Sequence, residues 1–171
     1  MTWDITRRSL AAIPKGLRPS VRGRGLPDRF TYDAAGCEAT AGATSRRWWG
    51  RVLSGAGEGP YQVGQSRMRV MWEVVVEYID DAGSGEKIDE AIVSDATLLG
   101  RAFAFGGNWD RANGSGIVSV TAAGDAVAPF EVEYLDGVRR LRMTLEVRYT
   151  TTLTYDNIQT YDDADYSYGG L

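Results

Sequence analysis

The chain has 171 residues and no histidine, so it lacks the side chain most often used as a general base. The usual Ser-His-Asp and Cys-His arrangements are excluded, and the commonest metal ligand is missing. A lone cysteine, Cys37, permits no intramolecular disulfide and has no histidine to activate it. Carboxylates cluster at Asp80-Asp81 and at Asp162-Asp163-Asp165. A calcium loop needs alternating oxygen ligands, a glycine and a closing glutamate, and neither cluster supplies them. The glycine-rich stretches Gly55–Gly59 and Gly83–Gly85 lack the Lys-Ser/Thr of a phosphate loop. Gly83 and Gly85 precede a helix start that could hold an anion, but Glu86 and Asp89 would repel it. Asp95 lies beside the apolar stripe of that helix and reads as a helix-to-sheet hydrogen bond, because buried polar groups are normally satisfied. No catalytic residue, cofactor or metal is expected, and the chain reads as a non-enzyme.

Recognition is a better use of the polar and aromatic residues. Arg46, Arg47, Trp48, Trp49 and Arg51 fall within six positions. Arginines beside indoles suit protein interfaces and, as an alternative, the stacking of nucleic-acid bases. Residues 1–51 hold ten basic and four acidic side chains, net +6, while residues 52–171 hold nine and nineteen, net −10. Phosphate binding normally shows as a basic domain, so the protein interface is preferred. No lysine or arginine follows Arg148, and the last residues alternate aspartates with Tyr155, Tyr161, Tyr166 and Tyr168. Tyrosine brings large contact area at low entropic cost, which makes these four a second candidate interface.

The elements that must position these residues are legible from period. Residues 67–79 follow a period of two, with Met68, Val70, Trp72, Val74, Val76 and Tyr78 on one face. Arg67, Arg69, Glu73 and Glu77 lie on the other, with Met71, Val75 and Ile79 among them. Residues 139–151 alternate again, with Leu141, Met143, Leu145, Val147 and Tyr149 opposite Arg140, Arg142, Glu146 and Arg148. Asp136-Gly137 predicts a tight hairpin between this strand and residues 129–135, in which Phe130, Val132 and Tyr134 point inward. A further strand is expected over 116–122. Residues 86–104 space Ile88, Ala91, Ile92, Ala96, Leu99, Ala102 and Phe103 as one buried helix face. A short helix is expected over 2–13, ended by Pro14. Residues 14–66 read as loop-rich, with short strand candidates at 29–32 and 46–53 and glycine-rich loops at 33–44 and 54–65.

The fold class is therefore α+β. A single, mainly antiparallel sheet carries one long helix (86–104) on a face and a short N-terminal helix. One domain is expected over 1–150, followed by a tyrosine- and aspartate-rich tail over 151–171. At 43% apolar and 25% charged residues, the chain can bury a core without staples. No apolar run is long enough to span a bilayer, and the N-terminal apolar run is too short for an export signal. Twenty-one glycines exceed the usual ~7% share and point to long loops.

Three segments together resemble the tail terminator proteins of long-tailed bacteriophages. They are the strand Arg67–Tyr78, the helix segment Asp89–Leu99 (Asp-Glu-Ala-Ile-Val-Ser-Asp-Ala-Thr-Leu-Leu) and the strand Arg140–Tyr149. The likeness covers roughly residues 67–150 and is one of pattern. It implies a small α/β subunit that forms a hexameric ring at the head-proximal end of the virion tail, assembled in the bacterial host cytoplasm. Its partners would be other copies of itself, the tail tube protein and the head–tail connector protein. Genome DNA would pass through the ring without specific binding, and no membrane is involved. A connector or a tail tube subunit is the neighbouring alternative. In such a ring, the loops of 14–66 and the tail 151–171 are expected to make the contacts between subunits.

Overall fold

Two long strands form the spine of the computed structural model, which describes residues 3–17, 30–32, 46–62, 64–79, 85–109, 114–123 and 130–152. β3 (Gln65–Ile79) and β6 (Val138–Thr152) pair antiparallel from Gln65↔Thr152 to Ile79↔Val138 with no register shift. A slip of one residue would move every apolar side chain to the wrong face, so the alternation read in the sequence fixes this register.

The sheet has six strands in the order β1-β2-β3-β6-β4, with β5 also on β6. β1 (Thr31–Tyr32) is parallel to β2 (Arg47–Gln62), and every other pairing is antiparallel. β4 (Ile117–Ala122) and β5 (Glu131–Leu135) share one edge of β6. β5 takes residues 138–142 and β4 takes residues 145–149. The hairpin at Asp136-Gly137 turns as expected, with Gly137 at φ 69°, a region that favours glycine.

Three sequence expectations need correction. Residues 54–62 are not a loop but the far half of β2, which pairs with β3 across register shifts after Val52, Gly57 and Pro60. Glycine lowers strand propensity, yet the backbone groups of β3 still need partners, and they recruit this segment. Pro14 does not end the first helix, since α1 spans Trp3–Gly16. A proline forfeits one donor, but its carbonyl still accepts from the Leu17 N–H at 3.1 Å in the closing turn. Tyr134 does not point into the core. It is exposed, with the Arg139 guanidinium carbon 5.3 Å from its ring centre.

Both helices cover the same face of the sheet. α2 (Gly85–Ala104) buries Ile88, Ile92, Ala96, Leu99, Ala102 and Phe103 against Val70, Trp72, Val74, Val76, Leu141 and Met143. Leu10 and Ile13 of α1 join this core, and Trp3 stacks on Tyr149 at 5.6 Å. Burial holds the Tyr149 phenol above its ordinary pKa. At the end of α2, the side chains of Asn108 and Trp109 donate to the carbonyls of Ala102 and Phe103 at 2.9 and 2.8 Å, capping acceptors that lack helical partners.

Asp95 is fully buried on α2, and its carboxylate joins helix to sheet as the sequence suggests. It accepts from the Tyr78 hydroxyl at 2.9 Å and from Arg46 Nε at 2.7 Å. Arg46 holds a left-handed backbone, φ 62°, immediately before β2. That conformation is uncommon for a residue with a side chain, and the ion pair helps hold it. Tyr78→Phe removes one donor to a buried charge and is expected to destabilise the fold by about 1.5–3 kcal/mol. Urea unfolding measures this, and a loss under ~0.5 kcal/mol would mean that the hydroxyl contributes nothing.

Candidate functional site: an arginine-covered sheet face

The face of the sheet away from the helices carries the candidate site. Cross-strand register places side chains in rows along the pairing direction. One row reads Arg47, Glu77, Arg140, Glu133 from β2 through β3 and β6 to β5. The next reads Trp49, Val75, Arg142, Glu131, and a third reads Arg51, Glu73, Thr144. Signs alternate along the first row, so each charge lies between opposite neighbours.

The two central glutamates are buried, Glu73 at 3% exposure and Glu77 at 2%. Glu77 accepts from Arg47 Nη2 and Arg140 Nε, both at 3.0 Å. Glu73 accepts from Arg142 Nε at 3.0 Å, from Arg142 Nη2 at 2.6 Å and from Arg51 Nε. The hydrogen bonds to Glu73 raise the Arg142 pKa above the ordinary arginine value, so Arg142 stays charged wherever the protein folds. Trp49 lies among these groups, with the guanidinium carbons of Arg47 and Arg140 5.8 and 5.7 Å from its ring centre. Such contacts are attractive through the ring quadrupole. The result is two layers, with carboxylates on the sheet and guanidiniums folded over them.

The geometry separates the residues singled out in the sequence. Trp48 belongs to the core at 1% exposure, meeting Trp72 edge-on with ring centres 6.5 Å apart. Arg47 and Trp49 are buried on the opposite face. Arg46 points to Asp95, while Arg51 stays 57% exposed above Glu73. Tyr155, Tyr161, Tyr166 and Tyr168 lie outside the described residues, as do Cys37 and the Asp80-Asp81 and Asp162–Asp165 clusters. What sequence reading misses is Glu73 and Glu77 as buried hubs. Their period places them on the polar face, and only the register, with arginines on both sides, indicates that they are covered.

A shallow cavity of about 180 Å³ opens on this face, lined by Trp49, Arg51, Val75, Glu133, Arg140 and Arg142. Its lining offers cationic donors and one indole but no nucleophile with a base. Among the described residues, no group of three or more acidic, cysteine or histidine side chains could hold a metal ion. No helix among the described residues is long and apolar enough to cross a membrane.

The fold and face define an α+β protein built on a mainly antiparallel sheet, with both helices on one side and a charged layer on the other. No protein-family model matches the chain, and a search of curated proteins gives no match.

Proposed function

We propose that the chain is a structural subunit of a long-tailed phage virion, a tail terminator that assembles as a hexameric ring between tail tube and head connector. The observation that carries this reading is the far half of β2. Residues 51–59 are all exposed, and Val52 and Leu53 each remain 48% exposed. Beyond Trp48, the outer edge of β2 pairs with nothing among the described residues. A long strand edge carrying apolar side chains is a surface that soluble monomers normally cover or blunt. A subunit that buries it against a neighbour needs no such protection. The absence of a nucleophile–base pair in the polar cavity also suits a structural role.

The nucleic-acid reading of Arg46–Arg51 loses support, because Arg46, Arg47 and Arg51 are each engaged by a carboxylate of the same chain. Binding phosphate there would require breaking those pairs.

Negative-stain imaging and native mass measurement of the purified chain test the proposal. Closed six-fold rings are the expected result. Open tubes would instead indicate a tail tube subunit, since head-to-tail contacts that do not close propagate. A chain that stays monomeric at high concentration would remove the ring reading.

A further inference from the structure

α2 turns a second stripe away from the sheet. Lys87, Glu90, Ser94, Thr97, Arg101 and Ala104 recur at alternating spacings of three and four, which sets them on one helix face, and all are exposed. Val93 flanks this stripe at 55% exposure. An open groove of about 620 Å³ lies beside it, lined among the described residues by Asp89, Glu90, Val93, Ser94 and Thr97. Asp89 is held by Arg139. Glu90 and Arg101, in contrast, have no ionic partner among the described residues. The Thr97 hydroxyl already donates to the Val93 carbonyl at 3.0 Å, so covering it strands no donor.

The stripe is symmetric about the point midway between Ser94 and Thr97. Glu90 comes four residues before Ser94, and Arg101 comes four after Thr97. We propose that it is a contact surface for a second copy of this chain, with the two α2 helices antiparallel across a two-fold axis. In that arrangement Ser94 meets Thr97, Glu90 meets Arg101 and Lys87 meets Ala104, each twice. Alternating spacings of three and four form the seam of paired helices, and small residues at the centre let the axes approach to about 8 Å. Parallel packing in register sets Glu90 on Glu90 and Arg101 on Arg101, whereas antiparallel packing joins both unpaired charges and opposes the helix dipoles. A strip about 26 Å long and 10 Å wide falls short of the ~800 Å² per partner of a standard interface, so the contact is weak and depends on concentration. It lies on the helical side of the sheet and does not rest on the ring reading, which rests on the β2 edge.

Disulfide trapping in the full chain, with Cys37→Ser to remove the native thiol, captures a weak contact. Glu90→Cys in one chain and Arg101→Cys in another should give a mixed disulfide when the two are combined at high concentration under mild oxidation. Each alone should give little, because the antiparallel pairing separates the two copies of either position by about 16 Å along the axis. Charge reversal provides a second reading by sedimentation. Glu90→Arg alone and Arg101→Glu alone should each weaken self-association roughly ten-fold or more, since like charges then face each other, and mixing the two variants should restore it. Circular dichroism checks that each variant is folded, and if Arg101→Glu is not, the cysteine pair decides alone. Equal yields from single and mixed cysteines, charge reversals without effect, or no restoration on mixing folded variants would each overturn the proposal. Rings without the mixed disulfide would overturn this contact and keep the ring reading. Dimers that carry it, with no rings, would do the reverse.

Discussion

Glu77→Ala is expected to destabilise the protein by about 3–5 kcal/mol, the usual effect of removing one partner from a buried ion pair. The carboxylate is buried between Arg47 and Arg140. Of these, Arg47 has a side chain only 9% exposed, so its charge cannot simply turn out to solvent. Most of the loss is the penalty of depriving a buried cation of this carboxylate rather than the net value of the pair, which desolvation largely offsets. Glu146→Ala is the comparison, because Glu146 pairs with arginines that are nearly half exposed. Exposed pairs contribute about 0–1 kcal/mol, so the two glutamates, read alike from sequence, should differ several-fold in urea unfolding. Equal effects would mean that the buried layer relaxes and takes in water.

Gly50→Ala is expected to be the most damaging small substitution in the sheet. A Cβ at this position would lie 2.3 Å from Trp72 Cζ2, far inside contact distance. The indole has nowhere to retreat. Its ring meets Phe103 edge-on at 5.5 Å and Trp48 at 6.5 Å, and it is almost wholly buried. Overpacking of this kind typically destabilises by about 1–3 kcal/mol, and three interlocked aromatic rings place this site at the upper end. Thermal unfolding measures the loss, and Gly50→Ala combined with Trp72→Leu should lose less than the sum of the two single losses, because the smaller side chain vacates the space. Additive losses in the double variant would show that the glycine is not needed for the indole.

The elements with strict period are legible in the sequence. β3, β6 and the buried stripe of α2 follow from side-chain alternation alone, and Asp95 can be placed because a carboxylate on an apolar stripe needs a partner. The second half of β2 is not legible. Gly55, Gly57 and Gly59 carry no side chains to alternate, and that segment is a strand only because β3 offers it backbone partners. Tyr134 shows the limit of alternation in another way, since a strand at a sheet edge can keep its period while its last residues run past the core. The candidate face is half legible. Its residue types can be read from Arg46–Arg51, but which of them face outward depends on a register that crosses four strands. Trp48 and Trp49 are neighbours in sequence and lie on opposite sides of the sheet.

The sharing of β6 by three partners has a consequence in time. β3 pairs with a strand that ends at Thr152, so Gln65 waits 87 residues for its partner, and β4 and β5 also have no ladder until β6 exists. Non-local pairing of this kind slows folding. On the ribosome, the sheet cannot close until residues 138–152 have left the exit tunnel. Until then, β3 has β2 as its only strand partner, and the helices can cover Trp72 and the valines of β3 only without Leu141, Met143, Leu145 and Val147 of β6. Such intermediates are prone to aggregation. Slower synthesis after β3 would therefore prolong a sticky intermediate, whereas slower synthesis after β6 would give the completed sheet time to settle.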